Sequence, residues 1–424
     1  MTFTKSILLG SAAALAAVAG ASAADLPSKK AAPAQYVKIC DAAGAGYFYI
    51  PGSDTCLKIS GYAELDITYN TLRPSRDLKN LITASAASKN NNTFGVDTEI
   101  QLDAVTKTSW GNLHTYIAFE AVNASNNAYL DNAYLEFAGI TAGKHESFYH
   151  NIGGLYSGYA TPDYAANLLA YTASFGGGLS ATLSLEDSTA AGRTATANVA
   201  ATALNPTSLA TANGTRMPDL IGALRIKQGW GEASLIGGVG QTNYVNSAAL
   251  NVTKTGYGVM GYVSINLPML AAGDSIAFQA AWERNAMNFA GVASNNAFGT
   301  TNGYSNLARS VMEGQNQTGY SLLGYFKHNW TPSVSSEIEG SYAKVTLSGT
   351  GVAANYIPTV VNGYSEWRIG HLLAWHPVKN MEIGIDTAYA RYSNVWTASQ
   401  IALAPTVAKS NNDFRVQLRL KASF

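Results

Sequence analysis

Charge is scarce in this chain. Asp, Glu, Lys and Arg make up 13% of its 424 residues, about half the roughly 25% of ordinary soluble domains. Long apolar runs are also missing: past residue 23 no uninterrupted stretch of about 18 apolar residues occurs, which argues against a protein that crosses a membrane with helices. The six histidines, at positions 114, 145, 150, 328, 371 and 376, show no HExxH spacing, and neither GxSxG nor a phosphate-cradling loop is present. That weakens the case for an outer-membrane hydrolase, whose site needs a nucleophile or activated water with a base in reach. No basic cluster exceeds Lys29–Lys30, so nucleic acid is not an expected partner. No cofactor is implied.

What is present has a different character. Gly (40) and Tyr (24) are abundant, and the mean hydropathy is +0.00. That middle value suits a barrel whose greasy and wet faces average out. At the front, Lys5, the apolar stretch 7–20 and the small residues Ala21, Ser22 and Ala23 read as a secretory signal, with cleavage expected before Ala24. Its loss leaves 27 − 1 = 26 Lys+Arg against 27 Asp+Glu. In an exported chain the pair Cys40 and Cys56 reads as a disulfide, stabilising by about 3 kcal/mol in the chain-entropy model.

The final stretch NDFRVQLRLKASF (412–424) alternates strictly. Phe414, Val416, Leu418, Leu420, Ala422 and Phe424 share one parity; Arg415, Gln417, Arg419, Lys421 and Ser423 share the other. Period-two alternation places the two sets on opposite faces of a strand. The same pattern recurs in LKISGYAELDITYN (57–70) and TFGVDTEIQLDAVT (93–106), and in further segments at 111–124, 127–139, 141–149, 168–176, 178–187, 216–228, 229–243, 255–267, 274–286, 318–330, 333–347, 363–378 and 381–395. That predicts about sixteen strands, most of them long enough to cross a bilayer obliquely. Connections alternate between short turns (109–111, 139–140, 175–178, 331–333, 379–380) and long polar stretches (71–92, 188–215, 287–317, 348–362, 396–411), as the two rims of an outer-membrane barrel require. Trp110, Trp230, Trp330 and Trp375 fall at or near short turns, at headgroup height. The fold expected is therefore all-β: a transmembrane antiparallel β-barrel over 57–424, apolar parity to lipid and charged parity to a wet lumen, behind a signal peptide (1–23) and a periplasmic-side segment with the disulfide (24–56).

Residues 25–62, DLPSKKAAPAQYVKICDAAGAGYFYIPGSDTCLKISGY, closely resemble the N-terminus of the alphaproteobacterial general porins of the Brucella and Rhizobium type. TAGKHESFY (141–149) is similar as well, and Phe424 matches the terminal assembly signal of outer-membrane barrels, read by the barrel assembly machinery. The resemblance implies a trimeric sixteen-stranded barrel in the outer membrane of a Gram-negative bacterium. It would allow passive diffusion of small hydrophilic solutes and ions, with outer-membrane lipid and lipopolysaccharide around it and a third long loop folded into the lumen as constriction. The connection 124–127 is short for a loop that latches a neighbouring subunit.

Loop 150–167 is the expected constriction: its glycines permit an inward path, its tyrosines fill cross-section, and Asp163 is its only carboxylate. Lumen-parity Lys58, Arg368, Arg415, Arg419 and Lys421 would face acidic positions including Glu64, Asp66, Asp97, Glu99, Asp103, Glu337, Glu339, Glu382 and Asp386, creating a transverse field that sorts ions. Tyr149, Tyr156, Tyr159 and Tyr164 suggest a saccharide-preferring channel as the alternative, with rings stacking on sugar faces or simply packing the loop. A barrel acting as adhesin or structural protein through loops 188–215 and 287–317 is a third reading.

Overall fold

A computed structural model describes residues 38–71, 92–123, 127–150, 155, 162, 165–188, 211–212, 216–245, 251–291, 316–348, 363–395 and 410–424. Asp163, Tyr156, Tyr159, Tyr164, the signal segment and most of the long loops lie outside them.

Among the described residues, sixteen strands form one ring. They are β1 (Thr55–Asn70), β2 (Asn92–Thr108), β3 (Gly111–Val122), β4 (Asn127–Phe137), β5 (Ile140–Glu146), β6 (Ala165–Gly176), β7 (Leu179–Glu186), β8 (Asp219–Gln228), β9 (Gly231–Val245), β10 (Asn251–Asn266), β11 (Ser275–Arg284), β12 (Asn316–Thr331), β13 (Val334–Ser348), β14 (Gly363–Trp375), β15 (Met381–Val395) and β16 (Ser410–Ser423). Each pairs antiparallel with the next, and β16 closes on β1 from Arg415↔Asn70 to Ser423↔Tyr62. Two-residue strands Phe48–Tyr49 and Thr211–Ala212 add to β1 and β9. Closure satisfies every ladder within the sheet, the only way strands can cross hydrocarbon.

The parity rule sets the faces. Phe94 (65% exposed), Ile100 (52%) and Leu183 (58%) point outward, while their inward neighbours Glu99 and Ser184 are buried. Every expected strand is present, with ends that differ for local reasons. The strand expected to reach residue 149 stops at Glu146, because Ser147, Phe148 and Tyr149 turn into the lumen. The one expected to reach 286 stops at Arg284, where Asn285 takes φ 56°. On one rim the connections are short, such as 109–110, 138–139 and 332–333; on the other they are mostly long. Trp110, Trp230, Trp330 and Trp375, all exposed, ring the short-turn rim. Short turns are periplasmic and long loops external in such barrels.

Below the short-turn rim, residues 38–54 fold back on the start of β1. The Cys40 and Cys56 sulfurs are bonded, the Cys40 N–H donates to Tyr47 O (2.9 Å), and the Tyr49 N–H donates to Lys38 O (2.8 Å). Burial, with a hydrogen bond to Asp103 on the inner wall, pushes the Tyr47 hydroxyl up to about 12. The segment thus leans into the mouth at the short-turn rim.

Candidate functional site

The chain leaving β5 turns inward because it has acceptors there. Glu186, fully buried at the end of β7, accepts from the Ser147 hydroxyl (2.6 Å) and from the Phe148 N–H (3.0 Å). Ser147 Oγ accepts in turn from the Tyr149 N–H (2.9 Å). Tyr149 then packs on Ile221, Ile236, Met260 and Phe289, against the inner faces of β8–β11. Further along, Leu155 sits among Leu323, Leu372 and Ala374, on strands on the far side of the ring from β5, and its N–H donates to Glu339 Oε2 (3.2 Å). Tyr149 and Leu155 thus meet well-separated parts of the inner wall.

A second insertion went unforeseen. Residues expected to open an outer loop, Met287–Ala290, form a 3-10 turn that is buried throughout. Glu283 supports it by accepting from the Ala286 N–H (2.8 Å). The Phe289 ring lies 4.6 Å from that of Tyr149, centroid to centroid. Wall glycines make the seat: a Cβ on Gly258 would stand 2.5 Å from Phe289 Cβ, and one on Gly238 2.8 Å from Phe289 Cζ. The GGVG stretch at 237–240, readable from sequence as a bend, is in part this seat.

The expected cations occupy different places. Arg368, with no more than 2% of its surface exposed, pairs with Glu366 (2.7 Å) close to Glu339 and Asp386, at the far-side anchor. Arg419 makes a two-pronged bond to Asp66 (2.9 and 2.8 Å) and reaches Glu64 (2.7 Å). Lys421 approaches Glu64 (3.2 Å) and lies 3.5 Å over the Tyr62 ring. Arg415 donates to Gln417. Lys58 is nearer the mouth at the short-turn rim, 6.0 Å from the Tyr47 ring centroid and against Gly46. The cations thus do not form one wall: Arg419 and Lys421 interleave with carboxylates. Phe424 caps the seam, exchanging backbone hydrogen bonds with Gly61. Tyr149, fully buried, is packed away from solutes.

Tyr149, Leu155 and Phe289 occupy the inner faces of β8–β12 and β14; the inner faces of β15, β16 and β1–β4 make up the opposite wall. There Glu99, Glu120 and Asp131 bring carboxylate oxygens within 4.8 Å of one another, and Tyr116 stacks on Tyr134 (5.3 Å). Asp131 comes inward through a bulge, since Ala118 faces Asn132 whereas Phe119 faces Leu130. Simple alternation along β4 places Asp131 on the lipid side. His114 bridges Asp103 (2.7 Å) and Glu136 (2.8 Å).

Comparison with known proteins agrees with this geometry. The family model described as "Porin subfamily" matches residues 25–418. Porin Omp2b of Brucella suis biovar 1 (strain 1330) is 30% identical over 271 residues, 58% of this chain and 68% of its own. Among solved structures, the outer membrane channel DcaP of Acinetobacter baumannii superposes with TM-score 0.62 at 14% identity, covering 89% of this chain and 99% of its own. OmpT of Vibrio cholerae, folded in vitro and in a trimer form, reaches 0.50 at 7% identity over 88% and 100%. The chain belongs to the porin subfamily and is an outer-membrane channel of a Gram-negative bacterium.

Proposed function

We propose that the channel passes small hydrophilic solutes and ions by passive diffusion and favours cations. The observation that carries this is the charge of the wall formed by β15, β16 and β1–β4, opposite the seats of Tyr149, Leu155 and Phe289. Among the described residues of that inner face, Glu64, Asp66, Asp97, Glu99, Asp103, Glu120, Asp131, Glu136, Glu382 and Asp386 are ten carboxylates against the five cations Lys58, Lys107, Arg415, Arg419 and Lys421, and a low-dielectric wall focuses that field on passing ions. Asp163, carried by the constriction loop, adds to the same sign, while Arg368 works at the loop's far anchor and Lys58 at the periplasmic mouth. Tyr156, Tyr159 and Tyr164 fill cross-section in this reading.

Salt-gradient reversal potentials in planar bilayers test it. The wild type should show a cation-sign potential that Glu120→Gln with Asp131→Asn lowers; Asp163→Asn should shift it the same way. An anion-sign potential, or values indifferent to these changes, defeats the reading. The stacked Tyr116 and Tyr134 favour a second, saccharide-preferring mode, and liposome swelling separates the two: a general pore ranks solutes by size, whereas a sugar-preferring pore saturates. We further propose a homotrimer, the form in which OmpT has been solved, embedded in outer-membrane lipid and lipopolysaccharide.

A further inference from the structure

Residues 38–54 precede the ring, yet they complete it at the short-turn rim. β16 ends at Ser423, opposite Tyr62, so it leaves the edge of β1 below that point uncovered. Phe48 and Tyr49 take that edge, pairing with Leu57 and Cys56. Their hairpin partner is the strand-like stretch before them, with Ile39 bridging to Phe48.

Every wall residue that holds the connecting stretch 40–47 faces the lumen. Cys56 and Lys58 share the inward parity of Glu64 on β1, and Asp103 lies opposite Lys58 on β2. Cys40 is bonded to Cys56. A Cβ on Gly46 would stand 3.7 Å from Lys58 Cε, and Lys58 Nζ lies 6.0 Å from the Tyr47 ring centroid. The Tyr47 hydroxyl is hydrogen-bonded to Asp103. Three contacts with inward residues of two neighbouring strands place residues 40–47 inside the mouth, over the inner face of β1 and β2.

The stretch is held there firmly. Gly44 (φ 112°) and Gly46 (φ 88°) take backbone angles that favour glycine, which lets the chain reverse between Cys40 and Tyr47. The Cys40 N–H to Tyr47 O bond (2.9 Å) ties the two ends of that reversal. Asp103, the anchor of the phenol, is itself fixed: His114 Nε2 lies 2.7 Å from it, and His114 Nδ1 lies 2.8 Å from Glu136. Tyr47 stays half-buried, so part of the ring meets water while its hydroxyl is tied to the wall. The wall it overhangs is the carboxylate-rich one. Asp103 follows Glu99 by four residues on the same strand, about 13 Å along it, so a solute that leaves past Glu99, Glu120 and Asp131 next meets Tyr47.

We propose that residues 40–47 narrow the channel at its short-turn mouth, and that Tyr47 is a specificity-determining residue for what passes there. The inference rests on the channel reading. A ring pinned by its hydroxyl and by a sulfur-stapled backbone removes cross-section from the path and does not swing aside for a solute. Any charge at that position sits against a low-dielectric wall, where its field acts strongly on passing ions. A segment that merely stapled the start of β1 to the rim would need the Cys40–Cys56 bond and the Phe48–Tyr49 pairing, but not a tyrosine reaching inward to Asp103.

Planar-bilayer recordings of the full-length protein test it, reading single-channel conductance and salt-gradient reversal potential together. Tyr47→Ala should raise conductance by about 1.3-fold or more, whereas Tyr47→Phe, which keeps the ring, should stay near the wild type. Tyr47→Arg should move the reversal potential toward anions and Tyr47→Glu toward cations. Those opposite shifts are the decisive readout, because a purely structural role has no reason to follow the sign of the new charge, and they keep the test sharp if Tyr47→Ala fails to give a detergent-resistant folded band. Equal potentials for the Arg and Glu variants overturn the inference, even if Tyr47→Ala conducts more, since Tyr47 would then act on the rim and not on the path. A cation-selective wild type with indifferent Tyr47 variants defeats this inference and leaves the channel reading intact. An anion-selective wild type whose Arg and Glu variants still diverge defeats the cation reading and leaves this inference standing.

Discussion

Single carboxylates hold the inserted segments in place. Glu186 is the clearest: its two oxygens take the Ser147 hydroxyl and the Phe148 N–H, and an unsatisfied buried donor costs about 1–3 kcal/mol. Glu186→Leu is therefore expected to loosen the loop's root without opening the ring, raising open-channel current noise while the detergent-resistant folded band persists. A Glu186→Leu current as quiet as the wild type's would refute the anchor. Gly258 presents the opposite case, a position where any side chain intrudes on Phe289 and Tyr149. Overpacking costs about 1–3 kcal/mol, so Gly258→Val should lower the thermal midpoint and change conductance together. None of this pairing was legible beforehand: alternation shows that residue 186 can face inward, but not which backbone N–H arrives from across the lumen.

At the scale of elements, most of the architecture was written in period two. Sixteen segments read from alternation are sixteen strands, including 141–149 and 168–176, whose alternation is the weakest, because every crossing strand must separate lipid from water along its length. Alternation failed where geometry departs from it. The bulge in β4 brings Asp131 and Asn132 to the same side, and Met287–Ala290 folds in because Glu283 and the wall glycines receive it; neither feature leaves a periodic trace. Turns carry their own chemistry. Burial in the 267–274 turn disfavours ionised Asp274, but the Asn329 N–H (2.8 Å), the His328 ring (2.6 Å) and the Asn329 amide outweigh it and hold its carboxyl below the usual range. A depressed carboxylate stabilises fully above the ordinary Asp pKa of about 4 and loses that contribution as pH falls through its lower folded value. Asp274→Asn should thus be less stable than wild type by a constant margin from pH 8 to about 5, with the margin shrinking below about 4 in urea titrations. A margin independent of pH would show that the bonds, not the charge, matter.

For the whole molecule, one partition supports everything else: outward residues meet hydrocarbon, inward residues meet a water path narrowed from within. The chain has only two cysteines, and they are bonded to each other, so single thiols can report on this partition. Gln101 faces the lumen and its neighbour Ile100 faces lipid, 52% exposed. The direct measurement is single-channel conductance of Gln101→Cys and Ile100→Cys in planar bilayers before and after a charged, water-soluble methanethiosulfonate. The account predicts a stepwise fall in conductance for Gln101→Cys and no change for Ile100→Cys; equal responses, or the reverse, would contradict it.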